Sequence, residues 1–193
     1  MTQILSATDL VLRKGDDPVS VDASEGFNFL HVGRESSATT LAMTLAGRYK
    51  PHSGTVDGPG FKKTALAGVH MIDSLDRQIP LRDLLREQIA WSQPFFKPTP
   101  RRPLEHDTVA RWLEPLGLEE LDSATSVGEL NVLDRFRFRI LLALVSRPKA
   151  ELLIVDDVDQ IRDMSLRAKL LDNLYAVAEE VPVLVTSANE EDR

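Results

Sequence analysis

Apolar and polar positions along the chain alternate, recur at helical spacing or run unbroken, and each pattern predicts a different element. Residues 3–12 (QILSATDLVL) and 18–23 (PVSVDA) alternate as half-buried strands do, and the turn KGDD between them predicts an antiparallel pair. GFNFLHV (26–32) is a short aromatic and aliphatic run that stops at Gly33. In TTLAMTLAGRY (39–49), Leu41, Leu45 and Ala46 recur at helical spacing, and this helix is expected to end near Gly47. KPHSGTVDGPG (50–60) is turn-rich, and ALAGVHMI (65–72) reads as a further short strand. From 80 to 122 the pattern is helical, PLRDLLREQIAW and then HDTVARWLEPLGLEELD, broken by the proline-rich loop QPFFKPTPRRP. Residues 126–148 read as a long helix entered from a Ser-Val-Gly turn, with Pro148 just beyond its end. ELLIVDD (151–157) is an apolar strand closing in two aspartates, 165–180 is an amphipathic helix, and VPVLVTS (181–187) is another buried strand. Strand, helix, strand in this order predicts an α/β fold with a mainly parallel sheet and right-handed crossovers.

Composition narrows the classes. With 193 residues the chain can bury one sizeable core, and no apolar run approaches the ~20 residues that cross a bilayer. MTQILSATDL lacks the basic start and apolar core of a secretory leader, so export is not expected. There is no cysteine, which excludes disulfides and thiolate metal sites. A formal charge of −7 argues against nucleic acid as a partner. The basic run RFRFR is no exception: Arg135 and Arg139 share one helical face and Phe136 and Ile140 another, as on a solvated face or a packed contact.

The stretch GRESSATT (33–40) lies between a predicted strand and a predicted helix, the context in which a loop's amides and a helix N-terminus converge on phosphate. Set against G-x-x-x-x-G-K-[ST], it keeps Gly33 and Thr40, with Ala38 at the second glycine and Thr39 at the lysine. LLIVDD supplies acidic residues at the end of a later buried strand.

The order of these features resembles the nucleotide-binding domain of ATP-binding cassette (ABC) proteins over nearly the whole chain. LAGRYKPHSGTVDGPG matches that family's helix end and following hairpin at Leu45, Ala46, Gly47, Pro51, Gly54 and Val56. Ser126-Val127-Gly128-Glu129 resembles the LSGGQ signature, LLIVDD resembles Walker B, and Asp163 falls where the D-loop aspartate lies. The resemblance implies a P-loop NTPase-like sheet with an N-terminal antiparallel element and a helical subdomain at about 80–145, all within one domain spanning 1–193. It also implies a nucleotide loop at Gly33, Arg34, Ser36, Ser37, Ala38, Thr39 and Thr40, and Mg-ATP as cofactor, with Thr40 and Asp156 on the metal. The implied partners are an integral membrane transporter subunit and a second nucleotide-binding domain that receives Ser126, Gly128 and Glu129. The implied location is cytoplasmic, on the inner face of the membrane.

Several positions depart from that pattern. Thr39 offers a neutral hydroxyl where the family's lysine makes a charge-assisted bond worth roughly 1.5–3 kcal/mol. Asp157 replaces the glutamate that orients water, retracting the carboxylate by about 1.5 Å. Ser187 stands at the switch histidine, Asp73 near the Q-loop glutamine, and Lys14-Gly15-Asp16 where an adenine-stacking aromatic is expected. Arg34 is a candidate substitute cation, a solvent-facing arginine being the other reading. Trp91, Phe95, Phe96 and Trp112 are candidate contacts with a membrane subunit, burial in the core being the alternative favoured for each. These departures point to a degenerate subunit with weak or absent ATP binding and a structural or regulatory role. A slow but active transporter ATPase, completed by a partner, and an unrelated α/β regulator are the other readings.

Overall fold

The computed structural model describes residues 2–33, 37–69 and 74–190. Strands β1 (Gln3–Val11), β2 (Val19–Ser24) and β4 (Ser53–Asp57) form an antiparallel sheet in the order β2-β1-β4. The alternation read in the sequence is the burial observed: Leu5, Ala7 and Leu10 point inward and pair across to Ala23, Val21 and Val19. β3 (Phe27–His31), β5 (Thr64–Ala67), β6 (Leu152–Val155) and β7 (Val183–Ser187) form a wholly parallel sheet in the order β3-β7-β6-β5. Unbroken aliphatic runs such as LLIV make parallel strands because both faces of such a sheet are covered.

Five α-helices surround the sheets among the described residues: α1 (Ala38–Leu45), α2 (Leu81–Ser92), α3 (Asp107–Leu113), α4 (Val132–Ser146) and α5 (Met164–Val177). One face of the parallel sheet packs on α2, α4 and α5, the other on α1 and the antiparallel sheet. β6 divides its side chains accordingly, with Leu153 and Val155 in the helical core and Leu152 and Ile154 in the second.

Some boundaries differ from the sequence reading. The helix expected from 126 begins only at Val132, because Asn131 caps it by accepting from Asp134 N–H at 2.9 Å. Residues 127–129 form a separate 3-10 turn. The turn-rich segment after α1 contains a paired strand, β4, and the strand expected at 65–72 is seen as β5 at Thr64–Ala67, with 70–72 outside the described residues. Core burial holds for Trp112, which is 6% exposed, but not for Trp91, Phe95 and Phe96, which are 79%, 98% and 72% exposed. The buried stripe of α2 is Leu81, Leu85 and Ile89, and Trp91, two residues past Ile89, is turned about 200° away from it.

Arg135, Arg137 and Arg139 serve packing. Arg135 donates to the Val127 and Leu130 carbonyls, Arg137 to Asn173 and Asp134, and Arg139 to Gln160.

Candidate functional site: a cleft at the carboxyl ends of the parallel strands

Walker-like residues from three elements meet where β3, β6 and β7 end. Val32 extends the β3–β7 pairing by donating to the Ser187 carbonyl at 2.8 Å, and α1 starts immediately after Ser37. Gly33, Ser37, Ala38, Thr39, Thr40, Asp157 and Ser187 line one cleft of about 310 Å³. Arg34, Ser36 and Asp73 lie outside the described residues.

Asp156 is hydrogen-bonded to Thr39 and Thr186, two residues that line this cleft. It is fully buried, and both carboxylate oxygens are engaged: Thr39 Oγ1 donates to Oδ2 at 2.7 Å, and Thr186 Oγ1 to Oδ1 at 2.8 Å. A buried carboxylate needs such donors, since leaving one oxygen bare costs about 1–3 kcal/mol or more. The structure thus corrects the pairing expected from the sequence: Thr39, not Thr40, stands on Asp156. Thr40 instead accepts from Arg13 at 3.5 Å. Successive helical residues point about 100° apart, so only one of the two threonines can face β6. In G-K-[ST] the lysine immediately precedes the hydroxyl residue. A register with Thr39 in the hydroxyl place would put Ala38 in that of the lysine.

The backbone above Asp156 is tightly fitted. Asp156 N–H donates to the Ala67 carbonyl at 2.8 Å, and a Cβ on Gly68, whose φ is +85°, would lie 2.0 Å from the Asp156 carbonyl oxygen. Only glycine fits there. Asp157 adopts the left-handed conformation, φ 52° and ψ 63°, and its N–H donates to Thr186 Oγ1 at 3.0 Å. Thr186 therefore relays between the two aspartates, a role the sequence reading missed; its signal was a threonine in an otherwise aliphatic strand.

Asp159 was missed as well. Its carboxylate accepts from Ala188 N–H at 2.6 Å, Asn189 Nδ2 at 2.7 Å and Ser187 Oγ at 3.0 Å, and pairs with Arg167 of α5 at 3.0 Å. Burial pushes this carboxyl up, but the hydrogen bonds from Asn189, Ala188 and Ser187, with the Arg167 charge, together hold it below the usual carboxylate range. Ser187 is thereby tied down with the chain that follows β7. Asp163 caps α5, accepting from Ser165 N–H at 2.9 Å and Leu166 N–H at 3.1 Å.

Beside the cleft lies a second one of about 490 Å³, lined by Leu12, Asp16, Asp17, Val19, His31 and Leu41 among others, with no phenylalanine, tyrosine or tryptophan in its wall. A groove of about 900 Å³ lies at the opposite, amino-terminal ends of the parallel strands, lined by residues such as Gln3, Glu25, Lys63 and Glu151 and by none of the Walker-like or signature-like ones. The carboxyl ends are where open α/β sheets bind ligands, so the smaller clefts are the relevant ones.

Ser126, Gly128 and Glu129 are not part of this cleft. They form a capping box in which Ser126 N–H donates to Glu129 Oε2 at 2.7 Å, with Gly128 N–H on the Arg77 carbonyl at 2.8 Å. A Cβ on Gly128 would lie 2.9 Å from that carbonyl oxygen, which accounts for the glycine.

Uncharacterized ABC transporter ATP-binding proteins from two strains of Mycobacterium tuberculosis are each 30% identical to the chain over 164 residues, 82% of its length. An ATP-binding cassette of an ABC transporter superposes with a TM-score of 0.78 at 15% identity, over 99% of this chain and 83% of its own. The chain has the fold of an ABC-type cassette domain. The Clostridium perfringens protein cbiO1, part of the ABC transporter complex cbiONQ, superposes on the cassette with a TM-score of 0.76 at 15% identity, over 98% of this chain and 80% of its own. No family model matches the cassette. It spans about a fifth, 22%, of the length of the mycobacterial relatives. No helix among the described residues is long and apolar enough to cross a membrane.

The donor set suits one half of Mg-ATP better than the other. Thr39 Oγ1 and Asp156 Oδ2 are hard oxygen donors already adjacent, which fits magnesium. Among the described residues that line the cleft there is no lysine or arginine, and the nearest described cation on it is Arg13, at 3.5 Å from Thr40 Oγ1.

Proposed function

We propose that this cassette is a degenerate ABC-type nucleotide-binding subunit, associated with a membrane transporter, that binds Mg-ATP weakly or not at all and serves a structural or regulatory role. The observation that carries this reading is the set of side chains at the motif positions. Asp156 is satisfied by Thr39 and Thr186, and Ala38 stands where a lysine would meet phosphate. Asp157 and Ser187 occupy the positions of the water-orienting glutamate and the switch histidine, and Ser187 is engaged by Asp159. Where nucleotide does bind, Thr39 and Asp156 would hold the magnesium, and the amides around Ser37 and Ala38 the phosphate.

A second reading, a slow ATPase completed by a partner, draws on the order retained at Ser126, Gly128 and Glu129. That turn is held by reciprocal hydrogen bonds and could serve the cleft of a second cassette. The exposed Trp91, Phe95 and Phe96 are suited to contact with a membrane subunit. Titration calorimetry with Mg-ATP, together with phosphate release measured with and without a second cassette, separates the readings. Stoichiometric micromolar binding with turnover would sink the degenerate one.

A further inference from the structure

The described cation that reaches the Walker-like cleft, Arg13, has a fixed root and a free head. Its backbone is held in the turn between β1 and β2: Arg13 N–H donates to Asp16 Oδ2 at 3.0 Å, Asp16 N–H donates to the Arg13 carbonyl at 3.0 Å, and Gly15 closes the turn at a φ of +97°. The exposed guanidinium makes one contact, to Thr40 Oγ1 at 3.5 Å, the outer limit of a hydrogen bond. Among the described residues it has no ion-pair partner. The rest of its planar fork of N–H donors is open to a ligand, and its charge persists because a guanidinium does not deprotonate in proteins.

That charge stands at the start of α1. Thr40 is two residues past Ala38, about 3 Å along the helix axis, so the Arg13 head lies beside the first turn. The helix presents the positive end of its dipole there, with no acidic side chain in the first turn and no side-chain cap from Ser37. Leu12 and Gly15, which flank the Arg13 position in the chain, line the second cleft, Thr40 lines the first, and Gly33, Ser37 and Ala38 line both. A ligand lying across the two clefts passes beside the guanidinium. A cation and a helix N-terminus acting on one spot favour an anion over a neutral group.

We infer that Arg13 is the phosphate-binding cation of this cassette, donating to the polyphosphate group of a nucleotide from the β1–β2 turn in place of a lysine on the loop. The inference rests on the proposed reading of the cleft as the place where nucleotide phosphate binds weakly. The long, exposed side chain must leave Thr40 and give up rotamer freedom each time a ligand arrives, and that cost accords with weak affinity.

The test follows amide NMR shifts of the full chain, which read binding at up to about 10 mM ligand, in magnesium buffer with ATP, inorganic tripolyphosphate and adenosine. Arg13→Ala is expected to weaken ATP and tripolyphosphate by the same factor, about tenfold or more, and to leave adenosine unchanged. Arg13→Lys keeps the charge but loses the fork, and should recover part of the loss. Lys14→Ala removes an equally exposed cation one residue away and should cost less than about twofold, which separates a contact from a general effect of charge. Both positions are exposed, so the thermal midpoint should not move in any of these variants. The inference is overturned if neither ATP nor tripolyphosphate binds the unmodified chain, if Arg13→Ala binds them as well as that chain does, or if Lys14→Ala costs as much. It is also overturned if Arg13→Ala weakens ATP and adenosine but not tripolyphosphate, the mark of a residue that stacks on the base. Absent binding would leave the degenerate reading intact, whereas micromolar binding with turnover, lost in Arg13→Ala, would overturn that reading and support the inference.

Discussion

Ala38, one residue before the threonine that meets Asp156, is where the missing positive charge can be tested. Ala38→Lys should raise Mg-ATP affinity by roughly tenfold or more, as expected for one charge-assisted phosphate contact. Thr39→Lys should fail to do so and should destabilise the fold by about 1–3 kcal/mol, because it removes the donor to a buried carboxylate. Calorimetry and urea unfolding of both variants decide the register, and equal gains in affinity would refute it. Asp159 makes a second residue-scale prediction, in pH. Its carboxyl is depressed in the folded protein, so its stabilisation is present above the unfolded carboxylate pKa of about 3.9 and is lost as pH falls through the lower folded value. Asp159→Asn should therefore cost about 2–3 kcal/mol at neutral pH and progressively less below about pH 4, measured by urea unfolding at both values. A deficit unchanged at low pH would mean that shape, not charge, holds the chain after β7.

At the scale of elements, periodic signals were legible and rotational ones were not. The alternation of β1, the unbroken run of β6 and the stripe of α2 each report one structural period, so their type and approximate limits were readable. The order of Gly33, the 126–129 turn and the 156–157 aspartates was readable too, because order along the chain survives folding. Which threonine of Thr39-Thr40 meets Asp156 depends on how α1 is rotated against β6, and spacing in one sequence does not encode that. Asp159 was invisible for a related reason: its partners Ser187, Ala188 and Asn189 arrive from a strand that neighbours β6 only in the folded sheet. Trp91 misled because residue type predicts burial whereas helical phase decides it, and Phe95 and Phe96 because they lie in the turn beyond the end of α2. The turn after β5 offers a test at this scale. Gly68→Ala would place a Cβ 2.0 Å from the Asp156 carbonyl at a left-handed φ, so it should destabilise by about 3 kcal/mol or more and lower the melting temperature by several degrees. A near-neutral effect would show that β5 and β6 can part there without cost.

For the whole molecule, the parallel sheet is the wall between two hydrophobic clusters and belongs to both. Neighbouring residues of one strand serve opposite cores: Leu66 faces the second cluster while Ala65 and Ala67 face the helical one, and Leu184 likewise divides from Val183 and Val185. Neither cluster can lose its packing without exposing the sheet that the other is built on. The helices α2 to α4, though read as a subdomain from the sequence, bury side chains in the same cluster as Leu153, Val155 and Val185. This sharing predicts one cooperative unit over 1–193. Leu153→Ala, on the helical side, and Ile154→Ala, on the other, should each cost about 2–5 kcal/mol. Both should shift the same single transition when unfolding is followed by Trp112 fluorescence and by circular dichroism, which sample one cluster and the whole chain. If Leu153→Ala instead separated the fluorescence transition from the dichroism transition, the helical part would be folding as its own unit. The Asp156–Thr186 pair, whose Asp156 follows directly on β6 and whose Thr186 lies in β7, would then be held by the antiparallel side alone.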